Sequence, residues 1–201
     1  MRAERITLLG GETVVVRDLD LRARSGQVIG VTGPSGSGKT TVLYALGGLI
    51  PAAGGRLLLD GRSVVPWRDA SVGLILQNLC LVPLLSAQET VALPLQASGT
   101  PRNEVAERSL AALEALGLGD HAAQLVGDLS GGQRQRVAVA RALAGRNDVV
   151  LADEPTSALD PHWRSVVLNL LTSEANRGAI VVVASSDAEV TSICDEIVAL
   201  R

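Results

Sequence analysis

Short, uninterrupted apolar runs closed by glycine or polar residues dominate the pattern of this chain. Val14, Val15 and Val16 form one such run, and Gln27, Val28, Ile29, Gly30, Val31 and Thr32 form a second. Segments 56–61 and 73–77 read as further strands, the first with a turn at Asp60 and Gly61, the second ending at the polar Gln77. Strand character returns at 148–152 and at 180–184, where runs rich in valine suit a parallel sheet covered on both faces. A last short apolar run occupies 197–200. Between about residues 78 and 129 the strand signal fades. Thr100 followed by Pro101 predicts an N-cap with proline at the first helical position, and Leu110, Leu113 and Leu116 recur at helical spacing before Gly117. The pattern predicts one α/β lobe over 1–77 and 130–201, with a helical section inserted at 78–129.

Composition narrows the classes of protein this can be. The chain has 201 residues, of which 47% are hydrophobic and 19% charged, as expected of a folded globular protein. A net charge of −3 argues against nucleic acid as a partner. No apolar stretch approaches the roughly 18 residues that span a bilayer, and the first five residues lack the apolar core of a secretory signal. The expectation is a cytoplasmic protein whose membrane contact is peripheral. Cys80 and Cys194 have no metal-ligand spacing and are expected to be buried free thiols. Of the 18 basic residues only one, Lys39, is lysine.

That lysine sits in Gly33-Pro34-Ser35-Gly36-Ser37-Gly38-Lys39-Thr40, which fits the phosphate-loop pattern GxxxxGK[ST], with a strand before it and a helix after it. Glycines there let backbone N–H groups turn toward phosphate oxygens, and the positive end of the following helix adds to the attraction. Residues 33–40 with Thr41 are the candidate ATP-binding set. Within it Lys39 is expected on the β- and γ-phosphates and Thr40 on Mg2+. At the end of the 148–152 strand two carboxylates emerge together. Asp153 suits the metal shell, and Glu154 suits activation of an attacking water. Leu129-Ser130-Gly131-Gly132-Gln133 precedes a run of strong helix formers and is a second candidate anion site at a helix start.

LSGGQ resembles the signature of the ABC ATPase family. The phosphate loop, Gln77, Asp153-Glu154-Pro155-Thr156 and Ser157-Ala158-Leu159-Asp160 stand in that family's order, from about residue 17 to residue 200. The resemblance implies an α/β phosphate-loop NTPase fold with a mainly parallel sheet, an N-terminal antiparallel β portion and a helical subdomain. It further implies an ATPase that powers a transporter by head-to-tail pairing with a second ATPase subunit, identical or not, beneath transmembrane permease subunits. In such a pair Ser130, Gly131 and Gly132, with Gln133 beside them, close over the γ-phosphate held by the other chain. Gln77 resembles the glutamine that touches Mg2+ and water and links the site to the membrane partner. Asp160 resembles the aspartate that reads across the dimer. The stretch 77–95 looks like the lipoprotein-release and macrolide-export branch.

Two departures stand out. Where the family usually places a histidine on the γ-phosphate, this chain has Ser186, shorter and unable to carry positive charge, so stabilisation of developing charge and hence turnover are expected to be lower. The aromatic residue that usually stacks on adenine is absent too. The chain has no Phe, and Tyr44, Trp67 and Trp163, all later than residue 43, are expected to pack within the fold, leaving Leu8 or Leu9 as an apolar contact for the base. His121 and His162 read as surface residues, with His162, beside Asp160, the better candidate for a role. A nucleotide-gated subunit with little turnover is the second reading. A DNA-repair or translation-factor ATPase fits less well, because only about 50 residues separate Gln77 from Leu129 and one cassette is present.

Overall fold

The computed structural model describes residues 1–59, 62 and 63, and 71–201. Strands β1 (Arg2–Gly10) and β2 (Thr13–Arg22) form an antiparallel hairpin. Against β1 lies β4 (Gly54–Leu59), followed by β5 (Arg62–Ser63), in an antiparallel sheet of order β2-β1-β4-β5. A second sheet holds β6 (Val72–Ile75), β7 (Val149–Asp153), β8 (Ile180–Ala184), β3 (Val28–Thr32) and β9 (Glu196–Ala199) in that order, and every pair in it is parallel. All five residues of β7 and all five of β8 are buried. This is the burial that their uninterrupted apolar runs predict, each large side chain contributing roughly 1.5–3 kcal/mol.

Helix α1 (Lys39–Leu46) follows β3, and α5 (Pro161–Asn176) and the short α6 (Ala188–Thr191) flank β8. Between β6 and β7 come α2 (Ala87–Ala97), α3 (Arg102–Glu114) and α4 (Gly131–Leu143), with two single 3-10 turns, Gly119–His121 and Val126–Asp128. These helices pack on one another through Val91, Leu113, Leu118, Val126 and Val137, in a core that continues to Ile75 and Val150 of the sheet. α4 therefore joins the helical part to the strands that carry the site.

Several elements differ from the sequence expectation. The predicted strand at 56–61 is β4, and its turn at Asp60 and Gly61 lies outside the described residues, as does Trp67. Pro101, at φ −54 and ψ 138, is itself the N-cap of α3, one position later than expected, because its extended ψ ends the preceding loop there. α2 forms despite Pro94 in its interior. A capping box at its start supplies part of the reason. The Ser86 Oγ accepts from the Glu89 N–H at 3.1 Å, and the Glu89 carboxylate accepts from the Ser86 N–H at 2.8 Å. The Ser86 backbone N–H holds the Glu89 carboxyl below the usual carboxylate range, with the Ser86 hydroxyl adding to it.

The thiols also depart from expectation. Cys80 is exposed, because it sits in the turn after Gln77, and Cys194 is half-buried. Burial pushes the Cys194 thiol up to about 11, with the Asp195 charge adding to it. Trp163 packs inside the fold as expected, its ring carrying the Arg136 guanidinium 4.2 Å from the centroid. The opposing wall is Gly117, at φ 65, where an added Cβ would stand 2.2 Å from Trp163 Cη2. Gly117→Ala should destabilise the protein by about 2 kcal/mol or more, from left-handed backbone strain plus overpacking. Urea unfolding, read as a shifted midpoint at constant slope, checks this.

Candidate nucleotide site

The loop between β3 and α1 is shaped by what its glycines permit. Gly38 caps α1 at φ 92, and a Cβ there would meet Val16 Cγ2 at 2.7 Å. At Gly33 a Cβ would meet Ser37 Oγ at 2.5 Å. No side chain caps α1, and the N–H groups of Lys39, Thr40 and Thr41 have no acceptor among the described residues. They are the free donors of a helix start, which attract an anion. Lys39 Nζ donates to the Gly33 carbonyl at 2.7 Å and to the Pro34 carbonyl at 3.1 Å, so its ammonium is held over the loop with one N–H donor still to spend.

Opposite the loop, β7 delivers its carboxylates. Asp153 is 1% exposed, and its Oδ2 has no partner, as is also true of the buried Ser37 Oγ. Burial raises the Asp153 carboxyl above its ordinary range. The Thr40 side chain opposes that rise, the Glu154 charge adds to it, and Lys39 opposes it again. Buried oxygens left without donors, beside a threonine hydroxyl and a lysine, are the chemistry of a hard cation accompanied by phosphate.

Glu154 leaves the strand at φ 45, with its N–H donating to the Ala184 carbonyl at 2.9 Å. Its carboxylate is gripped at both oxygens. Ser185 Oγ donates to Oε2 at 2.8 Å, and the Ser186 N–H donates to Oε1 at 3.3 Å. Ser185 is itself buried and accepts from the Asp187 N–H at 3.1 Å, which fixes its hydroxyl toward Glu154. Thus Ser186 reaches the carboxylate through its backbone, and the side chain that does so is Ser185, which sequence reasoning passed over. A serine directly after a buried strand and one residue before the expected histidine position was the available signal. Gln135, buried on α4, was missed as well. Its amide donates to the Pro155 carbonyl at 2.8 Å and to the Glu154 carbonyl at 3.4 Å, tying the helix after the signature to the turn after Glu154.

A cavity of about 310 Å³ gathers Ser35, Gly36, Gly38, Lys39, Thr40, Thr41, Gln77, Asp153, Glu154 and Ser186. The same cavity is walled by Val15. Leu8, at 0% exposure, belongs to the core, Leu9, at 41%, is exposed, and Val15 lines the cavity beside the loop. The cavity does not include Ser130, Gly131, Gly132, Gln133 or Asp160. Ser130 caps α4 in a capping box with Gln133. The Gln133 N–H donates to Ser130 Oγ at 3.2 Å, and the Ser130 N–H donates to Gln133 Oε1 at 2.8 Å. Gly132 packs against the Ala158 carbonyl, where a Cβ would approach to 3.1 Å. Two residues on, Asp160 Oδ1 caps α5 by accepting from the Trp163 N–H at 2.9 Å. On one chain the phosphate loop and the signature segment therefore stand apart, with Asp160 close in sequence to the residue that Gly132 packs against. His121, expected at the surface, is half-buried and bonded to Gln133.

A phosphate loop, a paired-carboxylate strand end and a separate signature segment, mounted on a parallel sheet with a helical part, define an ATP-binding cassette ATPase. Residues 16–157 match the ABC transporter family, and the chain belongs to that family. Over 202 residues it is 36% identical to an uncharacterised ABC transporter ATP-binding protein, YknY of Bacillus subtilis, covering 96% of this chain and 88% of that protein. It is 39% identical over 195 residues to the macrolide export ATP-binding/permease protein MacB of Brucella melitensis, covering 93% of this chain but only 30% of that longer protein. The resemblance to the macrolide-export branch thus holds. The structure superposes with a TM-score of 0.90 on a dimeric, post-hydrolysis state of the ATP-binding cassette MJ0796 bound to ADP and Pi. That match is 32% identical and covers 100% of this chain and 94% of that one. The chain is an ATP-binding subunit of the ABC class, an ATPase. Among the described residues no helix is long and apolar enough to cross a membrane.

Proposed function

We propose that two such chains, or this chain and a similar one, pair head to tail so that the phosphate-loop half-site of each is completed by the signature half-site of the other. Within this pair the loop N–H groups and Lys39 hold the β- and γ-phosphates, and Ser130, Gly131 and Gly132 supply donors from across the interface, with Gln133 and Asp160 flanking them. Asp153, Thr40 and Gln77 would hold Mg2+, which when bound neutralises charge on the phosphates. Glu154 takes the proton of the attacking water, and the grip of Ser185 and Ser186 on its two oxygens aims it. That two-point grip, in the same cavity as Lys39, is the observation that carries the reading. Residues 1–77 and 130–201 serve as the nucleotide-binding core, with 78–129 as the helical part that presents Gln77's surroundings to membrane-embedded permease subunits. The chain then works peripherally, on the cytoplasmic face of the membrane.

A second reading, a gated subunit with little turnover, is favoured by one observation. The Ser186 side chain is exposed and supplies no cation where charge develops. Steady-state release of phosphate from ATP and Mg2+ separates the two. A working motor turns over as wild type, and Ser186→His raises its rate by about tenfold. A wild type that is silent until Ser186→His revives it is the gated subunit. Silence of both proteins would remove the hydrolytic assignment of Glu154.

A further inference from the structure

The signature's Gln133 is held by a chain of side-chain bonds whose polarity is set from both ends. At one end the Gln124 amide donates to the Asp128 carbonyl at 3.2 Å, which turns its Oε1 toward His121 Nδ1, 2.9 Å away. At the other end Gln133 Oε1 accepts from the Ser130 N–H, which turns its NH2 group toward His121 Nε2, 3.2 Å away. Facing an acceptor with Nδ1 and a donor with Nε2, the imidazole satisfies both only as the neutral tautomer carrying its proton on Nδ1. Protonation would set an N–H against an N–H2. Turning the Gln133 amide over to relieve that clash would set its NH2 against the Ser130 N–H and break half of the capping box.

We infer that His121 is a positioning residue for the signature half-site, and that its protonation loosens Ser130 and Gln133 and so weakens closure over the nucleotide held by a partner chain. This rests on the head-to-tail reading above. Charged groups on the elements around the ring include Asp120 on its own turn, Glu114 at the end of α3, Glu89 on α2, Asp128 on the following turn, and Arg134 and Arg136 on α4. Among the described residues none of them forms an ion pair with the imidazole, and Arg136 is engaged with the Leu116 carbonyl and Trp163. The switch is therefore the donor–acceptor conflict itself.

Dimerisation with ATP, followed by size-exclusion chromatography with light scattering in a Glu154→Gln background, tests this between about pH 8 and about pH 5.5, the span in which histidine side chains change charge. His121→Gln keeps one NH2 for Gln124 and one carbonyl for Gln133 but cannot be protonated. His162→Gln controls for the other histidine. The Glu154→Gln protein should need about tenfold more ATP for half-dimerisation at the lower pH. His121→Gln should remove most of that difference with an unchanged thermal midpoint, and His162→Gln should leave it in place. A pH dependence that persists in His121→Gln, or that is absent from the parent, overturns the role of His121 alone. No dimer at either pH in any of these proteins overturns the head-to-tail reading, and this inference with it.

Discussion

Glu154→Gln should cut ATP turnover by about a hundredfold or more while leaving nucleotide binding intact, and should leave the protein as an ATP-bound dimer. The amide keeps nearly the same volume; its one oxygen can accept from the Ser186 N–H, and its NH2 can donate to Ser185 Oγ, since a hydroxyl serves in either role. What it loses is the basic oxygen that takes the water's proton, a contribution of roughly 10²–10⁴. Lys39 and the loop amides are untouched, so the binding free energy that closes the interface is retained while its release is blocked. Phosphate release and light scattering on the same sample read both halves of the expectation. A mutant that stays monomeric with ATP and Mg2+ would defeat the pairing reading, and one that still turns over at the wild-type rate would remove Glu154 from the chemistry.

The other large effect belongs to Lys39→Ala. The ammonium is the only lysine in the chain and is held by two carbonyls of the loop that it would serve. Its loss removes a charge-assisted contact with the phosphates, worth about 1.5–3 kcal/mol, and also frees the Gly33 and Pro34 carbonyls. ATP affinity should fall by about a hundredfold by equilibrium titration with a fluorescent nucleotide, with little change in thermal stability, because the side chain is half-exposed and packs no core. Unchanged affinity would refute the role assigned to Lys39.

How much of this was legible in the sequence depended on whether a feature is local. β7 and β8 were readable because a strand buried on both faces needs an uninterrupted apolar run, and 148–152 and 180–184 are such runs. The phosphate loop was readable because its geometry demands glycine at particular steps. α2 lies within the helical section expected at 78–129 but was not singled out there, although the Ser86–Glu89 capping box marks its start. Features set by tertiary contact were out of reach. Nothing in the order of residues says that Ser185, not the Ser186 side chain, reaches Glu154, that Gln135 spans to Pro155, or that Val15 walls the cavity. His121 was passed over for the same reason, because its partner lies 12 residues away on another element.

The place of β3 in the sheet bears on how the protein is made. Among the described residues β3 pairs with β8 and β9 alone, so its neighbours come from much later in the chain. The Val28 N–H is taken by the Asp195 carboxylate at 2.8 Å, and the Leu200 N–H donates to the Thr32 carbonyl at 2.8 Å, directly before the phosphate loop. On the ribosome the loop emerges well before β8 and β9, so its supporting strand cannot be seated until those later strands have been made. Such long-range pairing folds slowly and leaves an apolar edge open in the meantime. A seated phosphate loop is thus tied to the later arrival of β8 and β9, and a chain that lacked those two strands would lack the support on which the loop rests.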